Sequence, residues 1–162
     1  MVRFGETGYF GGFDDAIEIS GTIKKDSEIL YEFEGYGDYE RSWGVNPWAG
    51  FKETWTCVNT AEFYGIFLLT HSTKTGKVCA NTARIGFPKT NETYKVDNFS
   101  VEDIDLPQVL RIQGNFKNGG FDFKIDAYNI YEGHKLIQRR PYGILEGEAK
   151  KGNETIKLNG YG

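Results

Sequence analysis

Apolar and polar residues alternate with a period of two along most of the chain, and clusters of Gly, Asn and Asp interrupt the alternation. The pattern predicts strands over 16–25, 29–36, 51–59, 62–72, 77–87, 94–102, 109–117, 121–131, 142–150 and 154–159, and no segment keeps a helical period. Over 121–131, Phe121, Phe123, Ile125 and Ala127 share one face while Asp122, Lys124 and Asp126 share the other. Such a strand has one dry side and one wet side. The connections KDS, KTGK, KNGG and KGNE read as hairpin turns, because Gly, Asn and Asp accept the positive φ of a tight reversal. Neighbours in sequence are therefore expected to be neighbours in the sheet.

A meander of about ten short strands exposes its edges unless it curls and closes. The expected fold is thus all-β: an antiparallel up-and-down barrel or strongly curved half-barrel, one domain over residues 1–162. A barrel of eight or more strands has room for one small ligand. The segment 62–70, EFYGIFLLT, breaks the alternation by being apolar on both faces. It is expected to be covered twice, by the barrel interior on one side and by a loop, a partner or a second domain on the other.

The chain also echoes itself. GTIKKDSEILYEFEGYG, residues 21–37, returns as GEAKKGNETIKLNGYG, residues 147–162, one residue shorter, with the same Gly, Lys pair, acid-bearing turn and Gly-Tyr-Gly ending. The two hairpins read either as equivalent places in a closed barrel, as the sign of a duplicated domain, or as shared hairpin grammar alone.

Composition narrows the class. At 162 residues the chain can bury a core without disulfides or metals, and 15% aromatic residues with 21 Gly and 4 Pro favour a pleated protein over a bundle or a disordered chain. A net charge of -4 argues against general nucleic-acid binding. No apolar run resembles a signal segment or reaches the length of a membrane span, so the expectation is a soluble, cytoplasmic protein. Cys57 and Cys79, in the similar settings TCVNT and VCANT, read as small residues of neighbouring or near-neighbouring strands, a disulfide being disfavoured in a reducing cytosol. Two cysteines and two histidines at unrelated spacings do not make a metal site, and no cofactor is expected.

The candidate chemistry concentrates in EGYGDYERSWGVNPWAGF, residues 34–51. Gly35, Gly37, Glu40, Ser42, Trp43, Gly44 and Trp48 fall into a pattern of Gly-x-Gly, an acid, x-x-Trp-Gly and a further Trp. This resembles the lipocalin-like superfamily related to carotenoid 1,2-hydratase (hydroxyneurosporene synthase), which also includes fungal enzymes of the Diels-Alderase type. The hairpin at 144–162 looks like that family's closing hairpin, so the resemblance covers the two ends of the chain, while the middle matches only as a strand meander. It implies a lipocalin-like, calycin-like barrel, a hydrophobic ligand of isoprenoid or polyketide type, and a second lipocalin-like domain; a homodimer is the alternative partner, read from the two-sided apolar segment 62–70. Where the family pattern carries His before x-Trp-Gly, this chain has Arg41. A guanidinium cannot exchange a proton near neutral pH, so hydration through that position is not implied; Arg41 can still bind a carboxylate or polarise a carbonyl.

Three function classes follow. In the first, the barrel binds a hydrophobic small molecule, with Trp43, Trp48, Trp55 and Tyr64 as its wall and Arg41 or Glu40 as polar fixers. In the second it is a hydratase, cyclase or isomerase acting on such a molecule, with Glu40 or His71 as proton donor; His134, in EGHK, reads as an exposed turn residue. In the third it is a non-catalytic structural or interaction module. Glu40 and Arg41, adjacent on a strand, point to opposite faces and do not pair.

Overall fold

The computed structural model describes residues 2–4, 8–45, 51–72, 74–105, 109–132 and 139–161. Eleven strands lie within them: β1 (Val2–Phe4), β2 (Gly8–Lys25), β3 (Glu28–Val45), β4 (Phe51–Asn59), β5 (Tyr64–Ser72), β6 (Val78–Phe87), β7 (Glu92–Asp105), β8 (Val109–Phe116), β9 (Gly119–Glu132), β10 (Arg139–Lys151) and β11 (Glu154–Tyr161). A single 3-10 turn at Pro88–Thr90 joins β6 to β7. The fold is all-β and antiparallel, as the alternation predicts. Among the described residues no helix is long and apolar enough to cross a membrane.

The strands form two sheets. Eight of them close into a barrel in the order β10-β11-β4-β5-β6-β7-β8-β9, and the other three make a sheet of their own in the order β1-β2-β3. The barrel is the predicted meander, each strand hydrogen-bonded to its neighbour in sequence except where β11 returns to β4. That return is slight: Tyr161↔Asn59 is the one residue pair between β11 and β4 among the described residues.

The barrel interior is filled by side chains. Val58, Phe63, Phe67, Ile85, Phe87, Ile112, Phe116, Phe121, Phe123, Ile125, Leu145 and Leu158 form one buried cluster. Phe63 meets Phe87 edge-on with ring centroids 5.9 Å apart, and Phe67 packs on Phe121 and Phe123 at 5.3 and 5.6 Å. These are the offset and edge-to-face geometries that aromatic quadrupoles favour. Glycine makes room for the rings: a Cβ on Gly114 would stand 2.6 Å from both the Phe121 ring and the Asn98 carbonyl oxygen.

Ionic contacts on the outside tie the strands at one end. Arg111 donates to Asp122 through Nε (2.8 Å) and Nη2 (2.5 Å), a bidentate fork across β8 and β9. Lys89 donates to Glu62, and Lys151 to Glu92, while Gly152 N donates to the Asn118 carbonyl at 2.8 Å between two turns. This end, carrying the 3-10 turn and the β8–β9 and β10–β11 turns, is the one the phenylalanines fill.

The segment 62–70 is covered on both sides to different degrees. Phe63, Gly65 and Phe67 point into the core and are buried, whereas Tyr64, Ile66 and Leu68 on the outer wall are half-buried and Thr70 is fully buried. Cys57, beside Ile66 in the register, accepts a hydrogen bond from Asn59 Nδ2 at 3.2 Å and is not disulfide-bonded. Cys79 contributes backbone to β6, two strands away, and its side chain lies outside the described residues.

Candidate functional site

The β2–β3 hairpin is the part of the molecule whose sequence pattern and surroundings disagree. Its cross-strand register pairs Ile17 with Gly37, Ile19 with Gly35, Gly21 with Phe33 and Ile23 with Tyr31. Directly opposed residues share a face, so these eight form one apolar, glycine-notched surface. The next register positions, Glu18↔Tyr36, Ser20↔Glu34 and Thr22↔Glu32, form the other face, which is polar and acidic. Such alternation belongs to a sheet packed on one side and wet on the other. Yet Ile17, Ile19, Ile23, Tyr31 and Phe33 are 37 to 62% exposed. Among the described residues, the exposed large hydrophobic side chains other than Trp55, Val78 and Ile144 lie on this hairpin.

Each strand has 18 residues, so the hairpin extends about 60 Å, longer than any barrel wall here. It reverses at Asp26 and Ser27, with φ of 49° and 76°, a primed turn whose twist suits two right-handed strands. The Phe33 ring lies over Gly21, where a Cβ would stand 2.7 Å from Cζ, the same ring-over-glycine device that Phe121 makes with Gly114 in the barrel. Around Gly35 a Cβ would meet nothing within 4 Å, leaving a notch between Ile19 and the next turn of sheet. An open groove near the middle is lined by Ser20, Gly21, Thr22, Glu32, Phe33 and Glu34.

Charges on the hairpin add small electrostatic influences to two barrel groups. Burial pushes the Tyr64 phenol above its ordinary range; Arg84 opposes this, and Asp15 of β2 adds to it. Lys89 is held above the usual lysine range by its hydrogen bond to Glu62 and that carboxylate's charge, with a smaller push from Tyr36 of β3.

The candidate residues from the sequence divide between these two bodies. Glu40, Arg41 and Trp43 are exposed on β3, outside the barrel, with Arg41 and Trp43 on the apolar-face register and Glu40 on the acidic one. The expected opposition of Glu40 and Arg41 is therefore observed. Trp55 is 43% exposed on the outer wall of β4, opposite Leu68, and Tyr64 stands on the same wall of β5. His71 is half-buried near the end of β5. Trp48 and His134 lie outside the described residues. The structure does not gather Arg41, Trp43, Trp55 and Tyr64 around the barrel interior. What the motif search missed is the apolar face of Ile17, Ile19, Ile23, Tyr31 and Phe33, although its period-two signal was present in the predicted strands.

A comparison of the two echoing hairpins gives the geometry its meaning. Gly147↔Leu158 in β10–β11 matches Gly21↔Phe33, Ala149↔Ile156 matches Ile23↔Tyr31, Lys151↔Glu154 matches Lys25↔Glu28, and Leu145↔Gly160 matches Ile19↔Gly35. The repeat is therefore one of cross-strand register as well as of letters. In β10–β11 that face is core: Leu145, Ala149 and Leu158 are 0% exposed, against 37% for Ile19, 52% for Ile23 and 38% for Phe33. One hairpin wears its core face inward and the other wears it outward. No protein-family model matches the chain, and no curated protein or solved structure matches it either.

Proposed function

We propose that this chain is an interaction module, in which the filled barrel is a rigid platform and the β2–β3 hairpin is the surface offered to a protein partner. The supporting observation is the exposure of a complete amphipathic sheet face on a hairpin that repeats a buried one. A two-stranded ribbon is marginal in water by itself. Contiguous exposed apolar surface rimmed by polar residues is characteristic of interaction sites, and the acidic opposite face keeps the hairpin soluble until it docks. The test is size-exclusion chromatography of the isotope-labelled full chain, pure and in native cell extract, beside an Ile19→Glu/Phe33→Glu double variant. The parent elutes above its monomer mass in at least one condition and the variant as a monomer in both, with the thermal transition of the barrel unchanged. Identical elution of parent and variant in both conditions rejects the reading.

A second reading keeps the hydrophobic small molecule. At the barrel end away from the 3-10 turn, Asn81 is exposed at an inward register position, and Leu69 and His71 are half-buried. An isoprenoid- or polyketide-like body would enter at this end past His71, the opposite end being filled by rings. Native mass spectrometry of chain purified from cells is the check. An apolar mass that is carried by the parent and lost in Leu69→Lys supports the reading, and ligand-free spectra for both remove it.

A further inference from the structure

We propose that the partner of the hairpin is a second copy of this chain, the two apolar faces stacking on one another about a twofold axis that lies in the interface. This rests on the reading of the hairpin as an interaction surface and names its occupant.

The barrel of another copy cannot take the hairpin in place of β10–β11. Three of the matched positions are larger, Phe33 for Leu158, Ile23 for Ala149 and Tyr31 for Ile156, and Ile19 replaces Leu145 with a different branching. The core that encloses the smaller set is already filled, with Ala149, Leu145 and Leu158 fully buried, and overpacking of that degree is strongly unfavourable. The face must therefore meet a surface outside the barrel, broad enough for a bulky, ridged sheet.

The face is its own complement. Across every pair from 17/37 to 21/33 a large side chain opposes a glycine, with the large residue on β2 at Ile17 and Ile19 and on β3 at Phe33. Ridge and notch thus change strands along the hairpin. A twofold rotation brings the ridge of one copy over the notch of the other, Gly35 being the notch that nothing in its own chain fills. Sheets pack in this way about 10 Å apart with interleaved side chains.

Charge permits the same arrangement. Glu18, Glu32, Glu34 and Glu40 belong to the opposite face, so stacking turns them outward on both copies, while Asp15 at one end of the apolar face and Glu28, opposite Lys25, at the other remain at its margins. An isologous pairing of this kind is closed, so assembly stops at the dimer.

Sedimentation velocity of the pure full-length chain over a concentration series tests this. The parent shifts from monomer to dimer, and Ile19→Glu/Phe33→Glu shifts its midpoint to concentrations higher by at least about tenfold. Gly35→Lys does the same without disturbing the hairpin from within, because its Cβ enters open space. Circular dichroism melts that match the parent exclude unfolding as the cause. A parent that is monomeric when pure but enlarged in native extract, with the enlargement lost in the double variant, overturns the second copy as partner and leaves the interaction reading standing. A parent that is monomeric in both conditions overturns both. A dimer insensitive to either variant places its interface elsewhere and overturns this inference.

Discussion

Glu92 carries the most strongly perturbed ionisation resolved in the structure. Its carboxylate accepts hydrogen bonds from Lys151, from Thr90 Oγ1 at 2.5 Å and from Tyr94 Oη at 3.0 Å, and these donors, Lys151 foremost, hold its pKa down to about 2 from an ordinary 4.5. Lys151 also sits 5.1 Å from the centre of the Phe87 ring. One side chain thus links β7, the 3-10 turn and the β10–β11 hairpin at the filled end of the barrel. A carboxyl whose folded pKa is depressed stabilises the fold fully above its unfolded pKa and ceases to do so as the pH falls through the folded one. Glu92→Gln should therefore lower the melting temperature at pH 7, and its difference from the parent should shrink between pH 4.5 and about 2. The side chain is 40% exposed, so solvent screening keeps the effect modest. A difference that stays constant through that window would mean that the substitution acts through shape and not charge.

The strands were legible in the sequence wherever one face meets the core. β4 is observed over the predicted residues, and the barrel strands otherwise differ by a few residues at their ends, because a period of two depends only on which side is dry. The hairpin was not legible to its full length. Strands predicted over 16–25 and 29–36 run over Gly8–Lys25 and Glu28–Val45, and the added stretch GDYERSWGV carries acids, Arg and Gly where a core-facing strand would carry aliphatics. It extends because its partner strand is covalently near and in register, a pairing that local composition does not report. The candidate site shows the same divide. Tryptophan density drew attention to 34–51, but Trp43 belongs to the free-standing sheet and Trp55 to the outer wall of the barrel. The echo of 21–37 in 147–162 was visible in the letters; that one copy would be core and the other exposed depends on which hairpin enters the barrel ring, which is decided by contacts far apart in sequence.

At the scale of the whole molecule, the weakest join of the barrel among the described residues is that of β11 to β4. β10 holds β11 along eight residue pairs, from Ile144↔Tyr161 to Lys151↔Glu154, whereas β11 and β4 share Tyr161↔Asn59 among the described residues. On the other side β4 is laddered to β5 over its whole length, so among the described residues β4 is held firmly along one edge and weakly along the other. In an antiparallel strand successive amides point to opposite edges, and those of β11 that face β4 lack the ladder that protects their neighbours. Closure there relies on packing, chiefly Leu158 and Val58 in the shared core, and on the turn contacts at the filled end. Cooperative units with fewer backbone bonds open at lower free energy than the global transition. Native-state hydrogen exchange in a denaturant series should accordingly resolve the amides of β4 and β11 as an early-opening group, while those of β8 and β9 exchange only with global unfolding. A single free energy for all four strands would mean that the seam is as tightly joined as the rest of the ring. If the early group is seen, the barrel gives way first at the strand pair farthest apart in sequence, where the entropy of closing the ring is largest and the hydrogen bonds opposing its loss are fewest.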